Sequence, residues 1–243
     1  MKAEREIRDE IVRYGMMLYQ RGYVAAMDGN ISVRLDDGTI LVTPTCMCKG
    51  LMSADDIVHI DGGGRKLHGH RRVSSELGMH LLIYEMRPEI RGIVHAHPPT
   101  ATGFAAAGLA LDQPILSEVL LTLGSIPLAR YATPGSKELA EALQPLVLEH
   151  NAILMANHGV VAFAEELERA YMHMETVEHF AKIALTSRLL GRQQLLTDDD
   201  VRKLTEIRLR LEGKQPSSGN GSGGAGTRTP AAPAEPKIPV EKP

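Results

Sequence analysis

The sequence predicts an α/β domain followed by a tail, on three observations. Apolar residues recur at three- and four-residue spacing near the start, as in Ile7, Ile11, Tyr14 and Leu18, and again over long stretches near the end. Short β-branched runs such as Ile31-Ser32-Val33 and Ile40-Leu41-Val42 lie between these helical patterns. From Gly213 onward the composition turns to Gly, Ser, Pro and Ala, too polar and small to offset the entropy of ordering. The 243 residues therefore divide into a domain at 1–212 and a tail at 213–243, expected to be disordered and to take no part in the chemistry.

The first helix should stop near Gly22. A hairpin follows, with Ile31 to Leu35 and Thr39 to Thr43 flanking Asp36-Asp37-Gly38. Ile57 to Ile60, ahead of Asp61-Gly62-Gly63-Gly64, predicts another strand and turn. Ser74 to Met86 predicts a helix ended by Pro88. Ile90 to Ala96 is a short apolar strand, and Pro98 suits the first turn of the helix after it. Ile115 to Leu123 fits helix or strand equally. Ser136 to Val147 predicts a helix with Ser136 as N-cap. Ala152 to Ala156 is a buried-strand run, which Val160 to Phe163 is expected to continue after a break. Glu165 to Leu190 predicts a long helix, and Thr197 caps a last one reaching about Leu211.

A formal net charge of -3 leaves no electrostatic footprint for nucleic acid or an anionic membrane. With 4% aromatic residues and no Trp, base- or sugar-stacking platforms are not expected. No apolar run approaches the ~20 residues that span a bilayer. The opening Met1-Lys2-Ala3-Glu4-Arg5-Glu6 is not a signal peptide, and a reducing cytoplasm is the expected location. Cys46 and Cys48, one residue apart, are poorly spaced for a bridge.

Of the ten histidines, His95 and His97 stand out, in Ile93-Val94-His95-Ala96-His97-Pro98. Positions i and i+2 of a strand share a face, so two imidazoles would converge, as a first-row divalent metal requires. A polar sheet face is the competing reading. His158, in Asn157-His158-Gly159 after an apolar strand, is a third ligand candidate, with Gly159 allowing a sharp turn. Ser74-Ser75-Glu76 stands at an expected helix start, where hydroxyls and free N–H groups bind anions such as phosphate. A carboxylate beside an anion site points to metal ligation or proton transfer, with helix capping as the alternative. Gly29-Asn30 and Thr43-Pro44-Thr45 are further polar loops.

Together, in this order, Gly29-Asn30-Ile31-Ser32-Val33-Arg34, Thr43-Pro44-Thr45, Ser74-Ser75-Glu76 with His80, His95-Ala96-His97-Pro98 and Asn157-His158-Gly159 resemble the class II aldolase/adducin family over most of 1–212. The resemblance implies a three-layer α/β/α sandwich with a mostly antiparallel central sheet. It further implies a homotetramer with active sites at subunit boundaries. It implies one divalent metal per subunit, Zn2+ first with Mn2+ or Co2+ as alternatives, held by His95, His97 and His158, with Glu76 as displaceable ligand and acid/base. Asn30, Thr45, Cys46, Ser74 and Ser75 would bind a substrate phosphate. The implied reaction cleaves a ketose 1-phosphate of the fuculose, 5-deoxyribulose or methylthioribulose type, through an enediolate, to dihydroxyacetone phosphate and an aldehyde.

The chain departs from the family pattern twice. Cys46 replaces the Gly of Thr-Pro-Thr-Gly. The tyrosine that serves as second acid in the aldolases aligns near Glu118, making Glu118 the candidate for that role or a capping residue. Competing reactions on the same scaffold are weighed by residue. Pentulose-5-phosphate 4-epimerases carry Asp in place of Glu76. Related sugar-acid decarboxylases carry Lys near Ser75. Methylthioribulose-phosphate dehydratases lack the Ser-Ser pair. Adducin head domains lack the metal histidines, so their presence argues against a purely structural role.

Overall fold

The computed structural model describes residues 2–211 and Gly213, and the remainder of the 213–243 tail lies outside the described residues. The helices are α1 (Glu4–Gln20), α2 (Leu77–Met86), α3 (Pro99–Ala106), α4 (Ser117–Thr122), α5 (Lys137–Val147), α6 (Leu167–Leu189) and α7 (Asp198–Leu211). The strands are β1 (Asn30–Arg34), β2 (Ile40–Val42), β3 (Val58–Ile60), β4 (Lys66–His68), β5 (Gly92–Ala96), β6 (Leu128–Ala129), β7 (Ala152–Met155) and β8 (Gly159–Ala164). They form one eight-stranded sheet in the order β4-β3-β2-β1-β5-β8-β7-β6. The sheet is mixed: β6 and β7 run parallel and the other neighbours pair antiparallel.

Both faces of the sheet are buried, and alternate residues along each central strand serve different cores. Val94 and Ala96 of β5 and Val160 and Ala162 of β8 join Ile11, Tyr14 and Leu18 of α1 and Ala170, Met174 and Val177 of α6. Ile93, Val161 and Phe163 join Met79 and Ile83 of α2 and Leu139 and Leu143 of α5. Burial of each large side chain, such as Phe163 or Ile93, contributes about 1.5–3 kcal/mol. This parity places His95, two residues after Ile93, on the α2 side of the sheet.

Several elements differ from expectation. Val160 to Phe163 does not continue the strand before it but returns antiparallel to β7, because the chain reverses over residues 156–158. The ambiguous segment after Ile115 is the helix α4. α2 begins at Leu77, three residues later than expected, so Ser74 and Ser75 lie in a turn and Glu76 is the residue before the first helical turn. Neither Ser136 nor Glu76 makes a side-chain cap bond to its helix. Among the described residues no helix is long and apolar enough to cross a membrane, and Cys46 and Cys48 are both free.

Candidate metal centre

Antiparallel pairing brings one end of three central strands together. Asn30 at the start of β1 lies opposite His95 near the end of β5, and Ala96 lies opposite Val160 near the start of β8. His97 follows the last residue of β5, so it is not itself in the strand, and its backbone N–H donates to the Tyr23 carbonyl at 2.9 Å. His158 sits in the tight β7–β8 turn, its N–H donating to the Met155 carbonyl at 3.1 Å. One ligand atom from each of His95, His97 and His158 falls within 4.8 Å of the others. Glu76 enters from the turn before α2. Its Oε2 is 3.3 Å from His95 Nε2, and its Oε1 is 3.0 Å from His158 Nε2.

The role expected of Gly159 is corrected. The left-handed residue of the turn is Asn157, at φ 55°, while a Cβ on Gly159 would lie 2.5 Å from His97 Cδ2 and 2.7 Å from the Ala96 carbonyl oxygen. Glycine is required there for close approach to the two histidines rather than for the reversal itself. Gly29 meets both demands, with φ +71° and a would-be Cβ 2.7 Å from the His95 carbonyl oxygen.

The donor chemistry fits a divalent cation. His95 donates its Nδ1–H to the Val160 carbonyl at 2.8 Å, so its neutral ring presents a bare Nε2. His97 Nδ1 faces Asp28 Oδ2 at 3.4 Å, which favours a proton on Nδ1 and again a bare Nε2. The two Nε2 atoms are 3.2 Å apart. Two lone pairs at that separation repel unless a cation lies between them, and carbonyl- and carboxylate-oriented histidines are what a metal site needs. Glu76 Oε1 and His158 Nδ1 are also buried without an aligned hydrogen-bond partner.

Burial works to raise the Glu76 carboxyl. When protonated, His95 and His158 outweigh it through their charges and their hydrogen bonds to Glu76, and hold the group well below the usual carboxylate range. Burial, with the like charges of His95 and His158, pushes His97 down to about 4. Burial pushes His80 down to about 3 from its ordinary 6.5. The unfolded chain therefore binds an extra proton at residue 80 between those two values. The associated stability is fully present above pH 6.5 and is lost as pH falls toward 3. At ~1.4 kcal/mol per pH unit, the loss between pH 6.5 and 4 is about 3 kcal/mol. Urea unfolding across that range is expected to show a steeper acid loss for wild type than for His80→Gln. Equal slopes would contradict a neutral, buried His80.

The two loops expected from the sequence to meet a phosphate lie side by side. Pro44 bridges Val73, and Thr45 N–H donates to the Arg72 carbonyl at 3.1 Å. Ser74 Oγ accepts from Glu76 N–H at 3.3 Å, and Ser75 is exposed. Asn30 Nδ2 donates to Glu76 Oε2 at 2.8 Å, so Asn30 belongs to the carboxylate's surroundings as well as to the loop region. Lys49, fully buried, donates to the carbonyls of Met27 and Met47 at 3.2 and 2.6 Å and ties the Asp28–Asn30 loop to the Cys46 loop.

Cys46 has φ 54°. It keeps a left-handed conformation that glycine adopts freely and that costs another residue roughly 1–2 kcal/mol. Cys46→Gly gives part of that back through unfolded-chain entropy. Denaturant unfolding is expected to show a net gain of about 0.5–1 kcal/mol for Cys46→Gly, and a loss for Cys46→Val. A destabilised glycine variant would show that the thiol makes compensating contacts.

Glu118 is not brought to the histidines. It is exposed in the first turn of α4 and borders a groove of about 660 Å³ with Arg21, Tyr23, Glu175 and His179. Sequence reasoning missed Asp28, whose only signal was its place before Gly29-Asn30. It also missed the Val160 carbonyl, which carries no side-chain signal at all.

Fold and site together define an α/β protein with three convergent histidines able to hold a metal ion and one carboxylate facing them. The Class II Aldolase and Adducin N-terminal domain model matches residues 9–185, and the chain belongs to that family as one of its enzymes. It is 35% identical over 211 residues to a 3-oxo-tetronate 4-phosphate decarboxylase of Pectobacterium atrosepticum, covering 84% of this chain and 95% of that one. It is 32% identical over 201 residues to a 5-deoxy-D-ribulose 1-phosphate aldolase of Bacillus thuringiensis, covering 82% and 93%. A solved L-fuculose 1-phosphate aldolase superposes with a TM-score of 0.78 at 31% identity, covering 83% of this chain and 95% of that chain.

Proposed function

We propose that the chain is a divalent-metal-dependent aldehyde-lyase that cleaves a ketose 1-phosphate of the fuculose, 5-deoxyribulose or methylthioribulose type to dihydroxyacetone phosphate and an aldehyde. The observation that carries this reading is Glu76, a carboxylate held 3.3 and 3.0 Å from the Nε2 atoms of His95 and His158. A metal held by His95, His97 and His158, with Zn2+ first and Mn2+ or Co2+ also acceptable to three imidazoles, would supply Lewis-acid stabilisation of charge developing on the substrate's carbonyl oxygen.

The residues of the chain supply the rest. Asn30, Thr45, Ser74, Ser75 and the Cys46 backbone are assigned to the phosphate, supported by the Pro44–Val73 bridge that sets the two loops together. Cleavage needs two proton transfers. One removes the proton of the departing hydroxyl, and the other adds a proton to the carbon left behind. Glu76 is assigned the second. Glu118 of a neighbouring copy in a homotetramer is the candidate for the first, since no contact joins Glu118 to Glu76 within the described residues of one chain. A cytoplasmic location is the matching proposal.

A second reading is decarboxylation, favoured by that same lack of a second acid/base. A 3-oxo-tetronate 4-phosphate and a ketose 1-phosphate share the half phosphate–CH2–CO–CHOH. Losing CO2 from the first, or an aldehyde from the second, leaves the same enediolate, which one proton converts to dihydroxyacetone phosphate. Decarboxylation has no hydroxyl proton to remove, so Glu76 alone suffices. The test is a panel of these substrates with dihydroxyacetone phosphate release as the common readout. CO2 or aldehyde then tells the readings apart. No release from any of them by protein loaded with stoichiometric metal would overturn both.

A further inference from the structure

We infer that Ser32, His80 and Tyr84 are positioning residues that, through Asn30, fix the orientation of the Glu76 carboxylate. The inference rests on the reading of Glu76 as the proton-transfer group. Bonds of 2.8, 2.5, 2.6 and 2.8 Å run without a break from Glu76 to Asn30, His80, Ser32 and Tyr84. Asn30, Ser32, His80 and Tyr84 are all buried, at 3%, 0%, 1% and 4% exposure.

The direction of every bond follows from a carboxylate that only accepts and a buried His80 ring that is neutral. Asn30 must turn its amide nitrogen to Glu76 Oε2, which leaves its amide oxygen facing His80. An amide oxygen also only accepts, so His80 carries its proton on Nε2. The buried ring is neutral, so Nδ1 is bare and accepts from the Ser32 hydroxyl. That uses the only proton of Ser32, so the Tyr84 hydroxyl donates to Ser32 Oγ. The far end is anchored. The one Tyr84 proton is shared with the Arg91 carbonyl, 3.3 Å away, and the Arg34 guanidinium covers the Tyr84 ring at 4.9 Å.

Residue 32 lies between Ile31 and Val33 in the core, where an apolar side chain would pack without any polar group to satisfy. Three further polar side chains join it there, and none of their buried polar atoms is without a hydrogen-bond partner. Such a network holds one arrangement rather than adding cohesion. Its one end outside the core is the Glu76 carboxylate between the histidines. If His80 took the other tautomer, the Asn30 amide would be free to turn its oxygen toward Glu76, replacing an attraction with a repulsion.

The test uses the full chain and needs no substrate. In metal-free protein labelled with 15N-histidine, NMR is expected to show His80 as the neutral Nε2–H tautomer with a slowly exchanging ring proton. Zn2+ affinity, measured by competition with a chromophoric chelator, is expected to fall about tenfold in Ser32→Ala, the low end for groups that orient metal ligands. His80→Leu is expected to lose as much, and His80→Gln to recover most of it, because the glutamine amide can still donate to Asn30. Tyr84→Phe, which removes one oxygen, replaces Ser32→Ala if that variant fails to fold. An Nδ1–H tautomer in wild type, or unchanged Zn2+ affinity in Ser32→Ala and His80→Leu, would overturn the inference. If the tautomer and affinities come out as stated and no sugar phosphate is turned over, the assignment of function fails and this inference stands.

Discussion

Glu76→Gln is expected to lower dihydroxyacetone phosphate release by about a thousandfold while the protein keeps its stoichiometric metal, within the range general acid–base catalysis supplies. Glutamine has the shape of glutamate and an oxygen that can still accept from Asn30 Nδ2, so the surrounding bonds have a partner. What it lacks is the charge facing His95 and His158 and a proton to give. Metal retention follows because His95, His97 and His158 remain. Elemental analysis beside turnover separates the two effects. A variant with wild-type turnover would sink the acid/base assignment, and one that loses its metal would recast Glu76 as an obligatory ligand.

His95→Ala is expected to remove both metal and activity. Zn2+ sites with four ligands bind with roughly 10–16 kcal/mol, so one ligand accounts for about 3 kcal/mol, a factor of about a hundred or more in affinity. His95 is fully buried, and its loss also leaves the Val160 carbonyl without its side-chain donor. The measurement is therefore metal content and affinity on protein shown to be folded by circular dichroism. His97→Ala, a more accessible position, serves as a second variant with the same expected direction. Full metal content in both would mean that the metal sits elsewhere.

The parts of the fold readable from sequence were those in which local pattern and tertiary packing agree. α1 and α6 follow their apolar spacing, and β1, β2 and β3 follow their β-branched runs. β4 and β6 left no trace, since Lys66-Leu67-His68 is exposed and β6 is a two-residue parallel edge formed only by its neighbour. The start of α2 was misread because Ser74-Ser75-Glu76 has the composition of a helix cap while its backbone forms a separate turn. At the site, His95 and His97 were legible from their spacing of two residues, although only His95 lies in β5 and His97 follows its last residue. The contacts of His80 with Ser32 and Asn30 were not, because they join residues 48 and 50 positions apart and depend on the packing of α2 against the sheet.

The strand register described above has a kinetic side. Asn30 meets His95, and His95 meets Val161, across sequence separations of about 65 residues each. Contacts of such high order are slow to form, because a long loop must close before any of them repays its entropy. The metal ligands therefore cannot come into register until the chain on both sides of β5 has docked. A cation that binds only that arrangement draws the folding equilibrium toward it in proportion to its concentration. In this protein the candidate metal centre lies across the two seams of the sheet that join the most distant stretches of chain.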